Sequence, residues 1–152
     1  MKQGAGLISA CLVCFGLLSG CSTQTVTKSD TAKQPTSDEA LEQCWQQVAA
    51  RSELASCLQK VLSKAGAEAD KAEKEADHQS QTLDMTTSAD INAQRNFRAA
   101  KRSFHQFRER FCRWHESMTV GGGSGAGDSY RACYVETTRW WTQLLDRQSE
   151  SN

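Results

Sequence analysis

Residues 97–118 read FRAAKRSFHQFRERFCRWHESM. Apolar side chains, most of them bulky, return at alternating steps of three and four residues, which is the spacing of one face of an α-helix. They are Phe97, Ala100, Phe104, Phe107, Phe111, Trp114 and Met118. At roughly 1.5 Å per residue, the stretch predicts a helix about 33 Å long. Its bulky face needs another element to cover it.

The composition favours one small domain. The chain has 152 residues, of which 38% are hydrophobic and 24% charged, and its formal net charge is zero. This balance argues against a nucleic-acid-binding protein, because such domains are usually strongly basic. Residues 95–113 nevertheless hold seven Lys or Arg against one acid, Glu109, so this local basic stripe needs its own explanation.

Residues 1–20 are predicted to be a lipoprotein signal peptide. Lys2 precedes an apolar run at residues 7–18, which suits a signal sequence and is too short for a permanent membrane span. The run ends in Leu18-Ser19-Gly20-Cys21, which resembles the lipobox of bacterial lipoproteins. The resemblance implies cleavage before Cys21 and acylation of its sulfur, and the alternative is an ordinary signal peptide with an incidental cysteine. Ser22 favours the outer membrane, facing the periplasm, under the enterobacterial sorting rule.

Residues 21–37 are predicted to be a flexible tether after the lipidated Cys21. They are rich in Ser, Thr, Lys and Gln and contain Pro35, with few side chains to bury. The folded domain is expected at residues 38–147, followed by a tail at 148–152. A domain of about 110 residues has a modest core that benefits from covalent links.

The cysteines of the predicted domain indicate two disulfides, because an even number in an exported chain usually pairs. They are Cys44, Cys57, Cys112 and Cys133. The first two lie nearly symmetrically about Arg51-Ser52, and the last two about the Gly-rich segment 121–127. Residues equidistant from the turn of an antiparallel helix pair face each other. Among three connectivities, this favours Cys44–Cys57 and Cys112–Cys133.

Two alternatives would give the domain a metal or a cofactor. His105, Cys112 and His115 share one helical face, as a zinc site requires, although an oxidised exported domain favours a disulfide. Residues 121–127 read GGGSGAG and superficially fit a dinucleotide fingerprint, but the preceding strand and the βαβ unit are lacking. We therefore expect no cofactor, no metal and no enzymatic activity.

The chain is predicted to be all-α: small disulfide-stapled antiparallel helical hairpins in a four-helix arrangement with a long central hairpin. The helices are expected at about 38–50, from residue 52, at about 89–118, and from residue 128 or 129, with Ser37, Ser52 and Ser88 as N-caps. The second helix has an alanine-rich face through Ala65, Ala69 and Ala72, which should cover the phenylalanine face of the third. Its acidic side chains should pair with the basic stripe.

The residues from Phe104 to Cys112, followed by the Gly/Ser loop, Cys133, Thr138 and Leu145, resemble the LprI-like lysozyme inhibitor domain. The resemblance covers about residues 40–146. It implies a lipid-anchored envelope protein whose partner is a lysozyme that it binds and inhibits.

The loop at residues 121–130 has two interpretations. It is either a flexible linker or a protrusion that enters the lysozyme cleft, in which Ser124 hydrogen-bonds catalytic carboxyl groups, Asp128 attracts a basic rim and Tyr130 adds an aromatic contact. The alternative function is a structural or assembly lipoprotein of the envelope. That protein would act through an exposed aromatic end formed by Trp114, Tyr134, Trp140 and Trp141.

Overall fold

The computed structural model describes residues 39–119 and 125–150, which form four α-helices. They are Glu39–Trp45 (α1), Arg51–Thr86 (α2), Ala93–Met118 (α3) and Ala126–Glu150 (α4). The predicted all-α fold class is confirmed. The predicted signal peptide, the tether with Cys21, and Ser124 lie outside the described residues.

The three long helices run side by side. Arg51 lies beside Gly125, and Glu73 bonds Trp141, so α2 and α4 point the same way. α3 runs against both, since Asp77 at the far part of α2 meets Arg98 at the start of α3. The short α1 packs on α2 and α4. Within the described ranges, none of these helices has the length and apolar character needed to cross a membrane.

The start of α2 differs from the prediction. The helix begins at Arg51 after Ala50, so Ser52 lies within the helix and is not its N-cap. The Glu53 carboxylate instead accepts the backbone N–H of Ala49 at 3.1 Å. An acidic side chain in the first turn accepts a hydrogen bond from a backbone N–H, and its negative charge interacts favourably with the positive end of the helix dipole.

The start of α3 also differs, because its cap comes from another helix. Asp84 near the end of α2 accepts the N–H groups of Ala93 and Gln94, at 2.7 and 3.0 Å. The chain enters α3 through Asn92, whose φ of 53° is left-handed and more tolerable for Asn than for most residues. The predicted Ser88 cap is therefore wrong. A long-range carboxylate places the helix start at Ala93.

The main apolar core lies between α1, α2 and α4. Its buried cluster consists of Ala40, Cys44, Leu54, Leu58, Ala65, Ala132 and Val135. The small residues at positions 65 and 132 belong to α2 and α4, so they allow these two helices to approach closely. Ala65 of the alanine face thus packs in a core shared with α4, whereas the sequence predicted that this face covers the phenylalanines of α3.

The phenylalanine face of α3 is mostly uncovered. Of its seven predicted residues, all described, Phe104 is buried, two are half-buried and four are exposed. The buried side of α3 runs instead through Phe104, Arg108 and Cys112. Arg108 takes a core position because its guanidinium lies over the rings of Phe104 and Tyr134, at 5.3 and 4.2 Å from their centroids. The prediction that the phenylalanine face of α3 packs on the alanine face of α2 is therefore wrong, because α3 turns its Phe104, Arg108 and Cys112 side inward.

Both expected disulfides are present. Cys44–Cys57 joins α1 to α2 with a Cα separation of 5.8 Å, and Cys112–Cys133 joins α3 to α4 with one of 5.6 Å. These separations are ordinary for disulfides. Symmetry about the two turns therefore identified the correct pairs.

The predicted pairing of acidic α2 with basic α3 is correct at two places. Lys101 Nζ lies 2.7 Å from Glu73 Oε2, and Arg98 Nε lies 2.7 Å from Asp77 Oδ1. Glu68, by contrast, pairs with Lys64 of its own helix at 4.0 Å. Part of the basic stripe is thus explained by pairing within the domain.

Candidate partner-binding surface

A buried carboxylate lies where the three long helices meet. Glu73 of α2 is 2% exposed, and its Oε1 accepts from Trp141 Nε1 at 2.9 Å while its Oε2 meets Lys101. Burial alone would raise the pKa of Glu73, but hydrogen bonds from Lys101, Trp141 and His105 together hold that pKa below its ordinary value. The charged carboxylate therefore holds the helices together.

The network extends from Glu73 through His105 to Arg108. His105 Nε2 lies 2.9 Å from Glu73 Oε1, and its Nδ1 lies 2.8 Å from Arg108 Nη2. An arginine nitrogen can only donate, so Nδ1 accepts and the ring proton on Nε2 is donated to Glu73. Arg108 Nη1 also donates to Thr138 Oγ1 at 2.8 Å. Since these bonds fix the rotation of α3 about its axis, they determine which side chains face outward.

The outward side of α3 carries a shallow groove that we call the aromatic groove. It is lined by Ser103, Gln106, Phe107, Arg110, Phe111 and Trp114, with a volume of about 450 Å³. The ring centroids of Phe107 and Phe111 lie 5.3 Å apart, and those of Phe111 and Trp114 lie 5.7 Å apart. Phe107 and Trp114 are 51% and 56% exposed. A contiguous row of aromatic side chains, two of them exposed, is typical of an interaction surface.

One charged side chain, Arg110, lines this groove. It is exposed and forms no hydrogen bond or ion pair with any residue of ranges 39–119 and 125–150. Two other arginines of α3 are paired, Arg98 with Asp77 and Arg113 with Glu109. The aromatic groove thus presents flat apolar rings together with a cation available to a partner.

The predicted loop residues Asp128 and Tyr130 lie in α4, because that helix begins at Ala126. Asp128 is 7% exposed and lies 3.3 Å from Arg131 Nη1. Its carboxylate is in the first turn of α4, where its negative charge interacts favourably with the positive end of the helix dipole. These two residues therefore lie in a helix and not in a loop, and their predicted contact with a lysozyme stays a prediction.

Tyr130 braces the base of the α3–α4 connection. Its hydroxyl donates to Glu109 Oε2 at 2.7 Å, and the Arg113 guanidinium lies 4.7 Å from its ring centroid. Burial, and secondly the bond to Glu109, raise the pKa of Tyr130 to about 12. Together with Cys112–Cys133, this contact ties α4 to α3 beside the connection.

The predicted aromatic end does not form one exposed patch. Trp114 is mostly exposed, but Trp141 stacks on Phe104 with ring centroids 4.5 Å apart, and Tyr134 lies beneath Arg108. Sequence reasoning missed Phe107 as a surface residue. The disulfide cysteine Cys112 was the available signal, because it fixes the buried side of α3 and leaves residues 107 and 114 facing away from it.

Two of the three residues considered for zinc, Cys112 and His105, are engaged otherwise. The Cys112 sulfur is bonded to Cys133, and the two His105 nitrogens face Glu73 and Arg108. Among the side chains that the structure describes, no group of three or more His, Cys, Asp or Glu is arranged to hold a metal ion.

The domain was compared with known protein families. Residues 42–145 match the family model for Lysozyme inhibitor LprI. The match covers more than half of the chain and includes both disulfides, the Glu73 network and the aromatic groove. Comparison with curated proteins and with solved structures gives no match. The chain belongs to the Lysozyme inhibitor LprI family.

Proposed function

We propose that this chain is a lipid-anchored protein of the cell envelope that binds and inhibits a lysozyme. The observation that carries the proposal is the family match over residues 42–145, which spans nearly the whole helical domain. A protein inhibitor acts by covering the cleft of its target, so its own contribution is a surface of the right shape and chemistry rather than a reactive group.

The packing of the domain supports such a role. Association is weakened whenever a binding surface must become ordered, so a rigid scaffold favours affinity. Here the Cys112–Cys133 disulfide and the bonds of Glu73, His105 and Arg108 hold α3 in one rotational setting. The aromatic groove is consequently presented on a braced helix.

The proposed anchor is the acylated Cys21, in a sequence that resembles a lipobox. Acyl chains on this residue would hold the protein at the outer membrane, facing the periplasm. The following polar segment would span about 20–25 Å as a flexible chain of this length. A domain on such a tether could meet a lysozyme that approaches the cell wall.

The test is an inhibition assay with the full-length chain in a mild non-ionic detergent. A c-type lysozyme hydrolyses a fluorogenic chito-oligosaccharide, and its rate is measured against the concentration of added protein. We expect saturable inhibition at micromolar concentration, with the same affinity for a Cys21→Ser variant, because the anchor does not touch the enzyme. Full lysozyme activity at the highest protein concentration in the titration, together with no detectable binding, would refute the proposed function.

The exposed aromatic groove also supports a second candidate, a structural or assembly lipoprotein of the envelope. Chemical cross-linking in cells grown without lysozyme distinguishes the two. A stable envelope complex that contains the chain, combined with no inhibition in the assay above, would favour the second candidate.

A further inference from the structure

We infer, on the basis of the proposed function, that the aromatic groove of α3 is the surface that occupies the lysozyme cleft, with Arg110 against its catalytic carboxyl groups. The sequence pointed to the loop at 121–130 for this contact. The structure moves the candidate surface to the adjoining helix.

The chemistry of the target defines what must fit into it. A lysozyme cleft binds a row of sugar rings and carries two carboxyl groups beside the bond to be cleaved. One carboxyl remains ionised while the other is held protonated in an apolar pocket. A competitor therefore needs flat apolar faces in place of the sugars and a hydrogen-bond donor, preferably a cation, in place of the reacting centre.

The aromatic groove supplies these groups on one helix face. Phe107, Arg110 and Trp114 stand at positions i, i+3 and i+7, which bring their side chains to the same side of α3. Phe111 stacks against Phe107 and joins the row of rings. The Arg110 guanidinium offers a planar set of N–H donors that suits bidentate pairing with a carboxylate.

The side chains of the aromatic groove need little rearrangement before they can contact a lysozyme. Arg110 has no partner among the described residues that a carboxylate would have to displace. The neighbouring rings are already stacked on one another, so binding would order few rotamers. Apolar rings beside a cation also exclude water when they are covered, which strengthens an ion pair at that position.

Charge decides between a lysozyme cleft and two other occupants. In a symmetric dimer formed through this groove, the same patch would meet itself, and its lining residues include no carboxylate to pair with Arg110. An anionic membrane surface attracts clusters of basic residues, whereas one charged side chain lines this groove. A partner that presents carboxyl groups within a sugar-binding cleft is complementary both to the cation and to the rings.

The first test compares two charge reversals in the full-length chain. Arg110→Glu lies in the groove, and Arg102→Glu is the matched control, since Arg102 is also an exposed α3 arginine but does not line the groove. We expect Arg110→Glu to raise the half-inhibitory concentration roughly 30-fold or more, as loss of a buried charge pair does, and Arg102→Glu to change it less than about threefold. Circular dichroism confirms that both variants are folded.

The second test asks whether Arg110 faces the catalytic carboxyl groups. Calorimetry measures the binding of the parent and of Arg110→Ala to two forms of a lysozyme. One form has its native ionised catalytic carboxylate, and the other has the corresponding amide. If the two groups interact, Arg110→Ala weakens binding to the native lysozyme and has much less effect with the amide form. Equal weakening with both enzymes would place Arg110 away from the carboxylate and overturn the inference.

The outcomes separate this inference from the function on which it rests. A parent that neither binds nor inhibits refutes the proposed function. A parent that inhibits, with Arg110→Glu and Arg102→Glu equally active, keeps the function and overturns the groove assignment. A Ser124→Ala variant that loses inhibition while Arg110→Glu retains it assigns the contact to the loop. Sedimentation or vesicle binding that depends on Arg110, with inhibition unchanged, assigns the groove to a second copy or to a membrane.

Discussion

The Glu73 carboxylate should be the most sensitive polar position in the fold, and Glu73→Gln tests this with little change of shape. In the parent, the two carboxylate oxygens meet Lys101, His105 and Trp141, at 2.7, 2.9 and 2.9 Å. A glutamine oxygen can still accept from one side of the network. Its amide nitrogen, however, would face another donor, either the Lys101 ammonium or the side of His105 and Trp141.

The expected loss follows from burial and partners. Breaking a fully buried charge pair typically costs 3–5 kcal/mol, and a single hydrogen bond to a charged group contributes about 1.5–3 kcal/mol. Glu73 has a side chain only 2% exposed, but that of Lys101 is 41% exposed, so the ammonium can regain water. We therefore expect Glu73→Gln to lower the free energy of unfolding by about 2–3 kcal/mol.

Urea denaturation at neutral pH measures this difference, with Glu75→Gln as the control. Glu75 lies on the same helix but is exposed, and it accepts a bond from Gln79. Its replacement should change the free energy of unfolding by less than about 0.5 kcal/mol, as surface changes usually do. Equal effects of the two substitutions would show that the Glu73 network does not stabilise the fold.

The pH dependence gives a second check on Glu73. Since its pKa is lowered in the folded state, its stabilising contribution is fully present above the ordinary glutamate pKa of about 4.3 and is lost as pH falls through the lower folded value. Glu136 changes the pH dependence of stability in the opposite direction, because burial raises the pKa of its carboxyl group. The relevant quantity is therefore the difference between parent and Glu73→Gln, which should shrink below about pH 4. A difference independent of pH would contradict the assigned charge.

Three other changes have defined outcomes. Phe104→Ala should lower the free energy of unfolding by about 3–5 kcal/mol, because Phe104 is buried against Trp141, and a loss below about 1 kcal/mol in urea would contradict that packing. Replacing Cys44 and Cys57 by alanine should release the seven-residue α1, which is too short to persist alone. Amide exchange should then accelerate in residues 39–45 first, and unchanged exchange there would show that packing suffices. Cys21→Ser should abolish labelling with palmitate and membrane retention, whereas persistent labelling would exclude Cys21 as the acylated residue.

The disulfides and the helical hairpins could be predicted from sequence because they depend on short-range symmetry. Cys112 and Cys133 flank one connection, and antiparallel helices bring such positions together. The start of α3 is harder to predict from sequence. Its cap is Asp84, on the other side of the α2–α3 connection, and not the neighbouring Ser88. A cap supplied from another helix leaves little signal in the local sequence.

Hydrophobic spacing alone predicts the wrong buried side for α3. Phe107 and Trp114 continue the apolar spacing of Phe104, but the position that packs inward is Arg108. An arginine becomes a core residue only when rings and hydrogen-bond acceptors from other helices surround it, and these partners are distant in sequence. For the same reason the sequence does not reveal the aromatic groove, because hydrophobic spacing places its side chains in the core.

Site-specific photo-cross-linking maps the surface of the domain that contacts a lysozyme, and so tests the assignment of that contact to the aromatic groove. A photoreactive residue is introduced at Gln106, which lines the groove, or at Ser63, an exposed position on α2 used as control. After illumination with a c-type lysozyme, the adducts are mapped by mass spectrometry. Residue 106 should cross-link to peptides lining the lysozyme cleft, and residue 63 should give no adduct. Adducts from residue 63 in place of residue 106, or adducts of residue 106 outside the cleft, would overturn the assignment of the groove.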